Sequence, residues 1–338
     1  MNSSIEDYLK VITPHLHSDL VSPEVVSHIQ GLEPILPCLT ENLFECRLST
    51  DETQVDFSFY LPPLTKSLPE RFLTSPVWCS FQDFYQKWTN PTSSLHQKLK
   101  AVGMEFDLDQ SLSSVPIPCI FLELNREINC SFPDLISEAL GLLNYPLSPL
   151  IESNLKLCAD FLPDGAQFAH FAVMLSRPGL GVRVNVINIP PDQLLDYLLK
   201  IGWSDPTEAF FPLIYNLSKL VDYVVLAFDV GEIIYPRLGL ECYLRKQPRY
   251  EPRWHLFLDN LVDSRLCTPA KRDALLTWSG IDKQKYKQEG NLSWESVFSQ
   301  SMYSVYWRMI NHIKIVYQPG CPLEAKGYLA SGHRWIAG

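Results

Sequence analysis

Hydrophobic and polar residues alternate along short segments of the chain, and these segments occur in adjacent pairs joined by turn residues. In the clearest pair HIKIVYQ is followed by PGCP and LEAKGYLA, and Pro319 with Gly320 supplies the turn. A period of two is typical of a strand with one buried face, and Pro followed by Gly favours a tight turn. Each pair is therefore predicted to be a β-hairpin. The other pairs are NLFECRLS with TQVDFSFYL, MEFDLD with PIPCIFLELN, QFAHFAVMLS with VRVNVINI, and DYVVLAFDV with PRLGLECYLR.

Segments with helical periodicity lie between these pairs. DQLLDYLLKIGW follows two prolines, which are harmless in the first turn of a helix, and EPRWHLFLDNLVDSRL has the same pattern. Thr268 and Pro269 predict an N-cap and a first-turn proline for the helix PAKRDALLTW. Two helices are expected before each hairpin, for example at 191–202 and 207–219. The first of these is predicted to bury a stripe formed by Leu194, Leu195, Leu198 and Leu199.

The combination of two helices and one hairpin recurs five times. The first strands are expected to start near residues 43, 104, 167, 221 and 311, and a polar insert, IDKQKYKQEGN, lengthens the last unit. Sequential hairpins under one layer of helices predict an antiparallel meander, and closing ten strands into a ring removes the sheet edges. The predicted fold class is α+β, a single domain of five ααββ repeats that form a ten-stranded antiparallel β-barrel ringed by helices. The repeats are expected at 1–62, 63–126, 127–189, 190–246 and 247–331, with a C-terminal tail at 332–338.

Every predicted strand has a polar face, which in a closed barrel would point into the lumen. In the first strand, for example, Phe44 and Cys46 alternate with Glu45 and Arg47. The apolar face would then contact the helices. The polar residues expected in the lumen are Glu45, Arg47, Asp56, Ser58, Tyr60, Glu123, Arg183, Asn185, Glu241, Tyr243, His312, Lys314, Glu324, Lys326 and Tyr328.

Composition and charge exclude several classes of protein. With 46% hydrophobic and 20% charged residues, the 338-residue chain lies well outside the range of disordered sequences. Its net charge of -10 lacks the excess of cations that a nucleic-acid binder needs. The N-terminus has no secretory signal and no apolar run could span a membrane, so we expect a cytoplasmic protein without a membrane partner. The nine cysteines form no C-x-x-C pair, which argues against a zinc site or a disulfide framework.

Two short motifs on the predicted lumen faces connect the repeat pattern with a known family. Lys326-Gly327-Tyr328 has the form K-x-Y, and Arg183-Val184-Asn185 has the form R-x-N. Together with five ααββ units, they resemble the ABBA-type (αββα, PT-barrel) soluble prenyltransferases of the aromatic and cyanobactin-peptide kind, over nearly the whole chain. That family binds its isoprenyl diphosphate without a DDxxD motif, and this sequence has none. The resemblance implies transfer of an isoprenyl group from an allylic diphosphate to an aromatic, guanidine or hydroxyl nucleophile of a small molecule or peptide, in natural product biosynthesis.

The resemblance also implies roles for individual residues. Glu45 resembles the glutamate of the first unit that orients the acceptor in the family. The predicted catalytic carboxylates are Glu45 and Glu241, of which Glu241 would act as an acid or base. No metal ligands are expected in the protein, and Mg²⁺ remains open only as a companion of the diphosphate. The tyrosines that would shield the allylic cation from water are Tyr60, Tyr243 and Tyr328. The residues that would bind the diphosphate are Arg47, Arg183, Asn185, Lys314 and Lys326.

Some positions depart from the family pattern and keep alternatives open. The second unit offers Glu123 and no cation, and the fourth unit has Glu241 where a cation is expected. Because the lumen carboxylates nearly balance the cations, an internal network of salt bridges is an equal interpretation of the same residues. Two other functions therefore remain: a non-prenylating barrel that binds a peptide or small ligand, and an enzyme of other chemistry that uses lumen carboxylates.

Overall fold

Ten antiparallel strands form a closed ring in the computed structural model of the chain. Each strand from the first to the seventh pairs with the next one, the eighth pairs with the tenth, and the eleventh pairs with both the tenth and the first. The predicted ten-stranded barrel is confirmed. The strands are β1 (Glu41–Arg47), β2 (Val55–Tyr60), β3 (Leu99–Asp107), β4 (Cys119–Leu124), β5 (Gln167–Val173), β6 (Val182–Ile187), β7 (Tyr223–Val230), β8 (Ile234–Tyr243), β9 (Gly280–Lys285), β10 (Met302–Tyr317) and β11 (Glu324–Ala337). The structure describes residues 5–32, 41–61, 68, 70–108, 115–177, 179, 181–204, 210–285 and 302–337.

Two helices precede each hairpin, as the repeat pattern predicts. Four of them have proline at one of the first two positions and a Ser or Thr N-cap whose side chain accepts a backbone hydrogen bond. In the last of them, Thr268 accepts from the backbone N–H of Lys271. Within the described ranges, no helix has the length and hydropathy that a bilayer crossing demands. The helices are α1 (Ile5–Ile12), α2 (Pro23–Gly31), α3 (Pro76–Thr89), α4 (Ser94–Lys98), α5 (Phe132–Leu142), α6 (Pro149–Asp160), α7 (Leu194–Lys200), α8 (Phe210–Leu220), α9 (Arg253–Asp263) and α10 (Pro269–Trp278).

The hydrophobic core lies between the outer face of the barrel and the helices. Phe44 of β1 packs its ring against Phe57 of β2, with 5.2 Å between ring centroids, and edge-on against Trp278 of α10. All three side chains are buried. Because the apolar residues of each strand point outward into this core, the polar residues between them must face the lumen.

The last hairpin is longer than predicted. β10 begins at Met302 instead of near 311, and the predicted tail at 332–338 continues β11 as far as Ala337. The first residues of the predicted polar insert belong to β9, which pairs with the N-terminal half of β10. The rest of the insert lies outside the described residues. The period of two extends upstream of the expected start, because Tyr303, Val305 and Trp307 share one face of β10 and the residues between them share the other.

Two other elements differ from their predicted bounds. β3 starts at Leu99 instead of near 104, and a bulge between Leu99 and Ala101 interrupts its alternation. α7 is shorter than the predicted helix at 191–202, and Leu199 is 47% exposed instead of joining the buried stripe. An α-helix has 3.6 residues per turn, so two adjacent residues point in different directions, and Leu199 lies outside the apolar face. The buried stripe consists of Leu194, Tyr197, Leu198 and Ile201.

Candidate active site in the barrel lumen

A cavity of about 260 Å³ occupies the lumen, and a smaller one of about 40 Å³ lies at the end where β6, β8 and β11 begin. Both have Glu45, Glu105, Arg183, Lys314 and Tyr328 in their walls, so the two cavities adjoin each other. A concave site with convergent charged groups is the usual form of a small-molecule site.

Strand register sets which polar side chains meet in this site. Glu45 lies opposite both Tyr328 of β11 and Asp56 of β2, and Lys314 of β10 lies opposite Glu241 of β8. Directly opposed residues on antiparallel strands share a face of the sheet. The alternation in each strand and the order of the strands therefore assemble the site from all parts of the chain.

Cations are concentrated in the smaller cavity. Each of the inward cations has a carboxylate partner: Arg183 binds Asp229 through two hydrogen bonds of 2.9 and 3.1 Å, and Lys314 lies 3.2 Å from Glu241. This end of the lumen can hold an anion only if the anion competes with, or adds to, these ion pairs. The cations in its wall are Arg177, Arg183, Arg237, Lys314 and Lys326.

Aromatic side chains line the larger cavity. The imidazole of His312 lies between Tyr328, at 4.0 Å between ring centroids, and Tyr243, at 4.8 Å. Tyr60 contacts Phe121 edge-to-face at 5.4 Å. Such a wall offers ring faces to a cation and excludes water from it.

Glu45 and Glu241 have matching surroundings. Glu45 accepts hydrogen bonds from Lys326 at 2.5 Å, from Arg47 at 2.7 Å and from the hydroxyl of Tyr328. Glu241 likewise accepts from three donors, which are Asn185 at 2.9 Å, Lys314 at 3.2 Å and Tyr243 at 3.3 Å. Each glutamate is thus held by one lysine, one tyrosine and one further donor.

These donors keep both glutamates ionised. Burial alone would raise the pKa of Glu45, but Lys326, Arg47 and Lys314 hold it well below its usual range. Burial opposes the shift of Glu241 as well, yet Lys314 and nearby imidazoles lower its pKa to about 2. Carboxylates with such low pKa values are weak proton acceptors.

Three carboxylates meet beside the cations. Oxygens of Glu45, Asp56 and Glu105 lie within 4.8 Å of one another, and oxygen ligands suit Mg²⁺. Burial and the neighbouring Glu45 and Glu105 raise the pKa of Asp56 to about 8, against the opposing effect of Arg47. Burial and Glu45 also raise the pKa of Glu105. Because Arg47 and Lys326 already bind two of these carboxylates, the cluster fits an arginine and lysine network better than a metal ion, and we assign it none.

The lumen holds most of the residues that were predicted for the site. Arg47 is an exception, because it lies behind Glu45 and Asp56 and lines neither cavity. Among the other polar residues expected in the lumen, Asp56 also lines neither cavity, and the side chain of Glu324 is 54% exposed at the start of β11, where it pairs with Arg237. The predicted site residues in the cavity walls are Glu45, Tyr60, Arg183, Asn185, Glu241, Tyr243, Lys314, Lys326 and Tyr328.

Three lumen residues were not predicted from the sequence or were predicted without a role. Glu105 alternates with Met104 and Phe106 in β3, and that alternation was a sufficient signal for it. Arg177 follows β5 in a turn, where no periodicity marks it, and it reaches the lumen to pair with Asp107. His312 was expected to face inward, but its place between two tyrosines depends on the spatial neighbours of β10.

The chain has the fold of soluble aromatic prenyltransferases. It aligns over 97% of its length with 98% of the 5-dimethylallyltryptophan synthase from Streptomyces coelicolor, at a TM-score of 0.52 and 13% identity. It also aligns over 95% of its length with 93% of apo prenyltransferase PriB, at a TM-score of 0.54 and 12% identity. For PriB in a binary complex with product diphosphate, the TM-score is 0.53, the identity 13%, and the alignment covers 94% of this chain and 93% of PriB.

The relationship is visible in structure only. No protein-family model matches the chain, and no curated protein matches it in sequence. The predicted resemblance to the ABBA prenyltransferase barrel is thus confirmed for the fold, while the cyanobactin-peptide kind remains a prediction.

Proposed function

We propose that the protein transfers an isoprenyl group from an allylic diphosphate to an aromatic, guanidine or hydroxyl nucleophile of a small molecule or peptide. The observation that carries this proposal is a lumen in which a cluster of cations adjoins an aromatic wall. The fold supports it, because the similar structures are prenyltransferases and one of them holds a product diphosphate.

The cations would bind the diphosphate and stabilise its departure. Arg183 can offer forked hydrogen bonds to phosphate oxygens, whereas Lys314 and Lys326 act as point charges. Preorganised cations in a site that excludes water lower the barrier for breaking the allylic C–O bond. Asn185 would add a neutral donor, and Arg177 and Arg237 extend the cluster beyond the residues predicted from the sequence.

The tyrosines would protect the allylic cation. Tyr328 and Tyr243 donate their hydroxyls to Glu45 and Glu241, which leaves their rings against the cavity. Burial raises the pKa of both phenols well above the usual value, so that they stay neutral. Tyr243 stacks on Tyr223 at 4.7 Å and on His312 at 4.8 Å, so its ring would exclude water. The rings of Tyr60 and Tyr328 would attract the cation without offering it a strong nucleophile.

One observation favours a second function, a non-prenylating barrel that binds a peptide or small ligand. Arg183, Lys314 and Lys326 are each already paired with a carboxylate, as an internal network of salt bridges would require. An enzyme that uses the lumen carboxylates for other chemistry is a variant of this candidate.

The test is to incubate the protein with dimethylallyl or geranyl diphosphate and an acceptor panel. The panel contains L-tryptophan, L-tyrosine, N-acetyl-L-arginine and a tryptophan-containing dipeptide, and mass spectrometry detects the prenylated product. A donor-dependent rise in melting temperature and transfer to one acceptor are expected. Absence of both the shift and transfer would overturn the proposal.

Two variants separate catalysis from structure. Arg183→Gln and Lys326→Met are expected to lower kcat/KM for transfer by about 10²-fold, the usual effect of removing one preorganised electrostatic contact. Arg272→Gln is the control, because Arg272 pairs with Asp259 and Asp273 on the surface. If the two lumen variants fail to fold while the control folds, the salt-bridge network is the better explanation.

The remaining parts of the proposal concern conditions. We expect the enzyme to act in the cytoplasm, with Mg²⁺ entering only as a counterion of the diphosphate. Addition of EDTA to the transfer assay measures that contribution. The described residues offer no metal cluster other than Glu45, Asp56 and Glu105, two of which are already bound by Arg47 and Lys326.

A further inference from the structure

The two glutamates predicted as catalytic carboxylates are already held by three donors each in the lumen. Each already accepts three hydrogen bonds from charged or polar side chains, and the pKa of each is lowered. A nucleophile that loses a proton during prenyl transfer needs an acceptor that is not already occupied. Glu45 and Glu241 are therefore weak acceptors for this proton.

His312 provides an unoccupied acceptor. Its Nδ1 lies 2.7 Å from the amide oxygen of Asn311, a contact that places the proton on Nδ1 and leaves a lone pair on Nε2. Nε2 is buried and has no hydrogen-bond partner. Two other buried side-chain atoms in the described part of the chain lack a partner, Oε1 of Gln82 and Nε1 of Trp307, but neither residue lines the lumen cavities.

We propose that Nε2 of His312 accepts a hydrogen bond from the acceptor substrate and receives the proton that this substrate loses on prenylation. The inference rests on the proposed function. The allylic C–O bond breaks and its electron pair leaves with the diphosphate. The new bond from the nucleophile to the allylic carbon forms, and the proton of the nucleophile passes to Nε2. The resulting imidazolium returns this proton to solvent after product release.

The surroundings of His312 suit this role. Burial lowers the pKa of its imidazole to about 4, with Lys314 and His170 acting in the same direction and Glu241 and Glu45 opposing them. The rings of Tyr243 on β8 and Tyr328 on β11 cover its two faces. The imidazole is therefore neutral near pH 7 and does not repel an allylic cation. A weak base suffices for an aromatic or hydroxyl nucleophile, because its cationic addition product is a strong acid.

Glu105 is the competing base. It lines the same cavities, and burial together with Glu45 raises the pKa of its carboxyl group. It lies, however, beside Glu45 and Asp56 near the cations that would hold the diphosphate. A proton acceptor is needed on the aromatic side of the lumen, where the acceptor substrate would meet the allylic carbon.

The experiment compares His312→Phe, His312→Gln and Glu105→Gln with wild type. Phenylalanine keeps a ring between the two tyrosines but removes the lone pair, and glutamine serves if that variant does not fold. Dimethylallyl diphosphate is the donor, and the acceptor is L-tryptophan, or L-tyrosine or N-acetyl-L-arginine if the wild-type protein uses that one. His255→Gln, on the exposed side of α9, is the control.

Transfer and donor hydrolysis are measured separately. Both His312 variants are expected to lower kcat for transfer by about 10²-fold, while diphosphate release without acceptor changes less than about threefold. Wild-type kcat/KM should fall below about pH 5, as Nε2 becomes protonated, and this acid limb should be absent in His312→Phe. With ring-deuterated L-tryptophan, an isotope effect on kcat should appear in the variants, because proton removal becomes slow.

The outcomes distinguish this inference from the proposed function. Wild-type transfer that persists within about threefold in both His312 variants overturns the role of His312 alone. A loss confined to Glu105→Gln assigns the proton to Glu105 and also overturns it. No transfer by the wild-type protein with any of the three acceptors overturns the proposed function, and the role of His312 with it.

Discussion

The imidazole of His312 couples folding to pH, independently of any activity. Burial lowers its pKa from 6.5 to about 4, so the unfolded chain takes up a proton at this residue before the folded one does. The free energy of unfolding should therefore fall as the pH drops from 6.5 to 4, by up to about 3 kcal/mol from this residue. We expect His312→Phe to lose that part of the pH dependence.

Urea unfolding of wild type and His312→Phe at pH 7.0, 6.0, 5.0 and 4.5 measures this difference. The gap between the two proteins should change steadily toward acid, in favour of the variant. Parallel curves would mean that the imidazole titrates normally in the folded barrel.

Gly239 makes room for Lys314 in the lumen. A Cβ at position 239 would collide with Cε of Lys314 and lie 3.2 Å from its Nζ and 3.3 Å from Cβ of Ala227. Gly239→Ala should push the ammonium away from Glu241 and lower the stability by about 1 to 3 kcal/mol, as overpacking usually does. Donor affinity should also fall, because Lys314 leaves the cation cluster.

Gly141→Ala is the matched control for this substitution. Gly141 lies inside α5 and a Cβ there would meet no atom within 4 Å, so alanine should stabilise the helix by up to about 1 kcal/mol. Urea unfolding and donor titration measure both variants. Equal stability changes in the two would contradict the proposed packing of Lys314 on Gly239.

At the scale of secondary-structure elements, Lys271 joins α10 to the first hairpin. Its side chain is buried, and its ammonium donates to the carbonyl oxygens of Arg47 and Glu52 at 2.7 Å each. Lys271→Met should lower the free energy of unfolding by about 2 kcal/mol, because two carbonyls lose a charged donor. The hairpin turn that precedes Asp56 should become more mobile.

Chemical denaturation and hydrogen exchange of the β1–β2 turn test this prediction. Lys200→Met is the control, since Lys200 forms an exposed i,i+4 pair with Asp196 and should contribute less than about 0.5 kcal/mol. A loss no greater than that of the control would show that the ammonium does not hold the turn.

The elements of the barrel were largely predictable, because alternation and turn residues act locally. Glu45 and Arg47 alternate with Phe44 and Cys46, and this pattern alone places Glu45 on the lumen face. The upstream part of β10 was not predicted because Tyr303 and Trp307 are amphipathic and so do not mark one face of a strand as apolar. This part also pairs with β9, a strand that was not predicted. The stripe of α7 was misjudged at Leu199 because adjacent leucines do not share a helix face.

The chemistry between elements was less predictable. Arg183 was expected to bind diphosphate, but its pairing with Asp229 depends on which residues of β6 and β7 are opposed. The stack of Tyr243, His312 and Tyr328 is formed by three strands, and the sequence alone does not predict which of their residues lie side by side. Strand register and order, which tertiary packing sets, decide these contacts.

At the scale of the whole molecule, the repeats should unfold together. Neighbouring strands join every unit to the next, and β11 joins the last unit to β1. One calorimetric transition is expected, with equal calorimetric and van't Hoff enthalpies. Ile29→Ala in α2 and Phe257→Ala in α9 remove buried side chains and should both shift that single transition. Separate transitions would contradict a single domain.

The three clustered carboxylates give the lumen a further property, a dependence of anion binding on protons. Asp56 and Glu105 have raised pKa values and lie beside the cations. An anion that binds there should raise these pKa values further, so near pH 8, where Asp56 titrates, its binding should be accompanied by proton uptake from solvent. A carboxyl group that takes up a proton no longer pairs with Arg47 or Arg177, and the bound anion replaces it as the counterion. The net charge of the barrel with its ligand therefore changes by less than the charge of the anion.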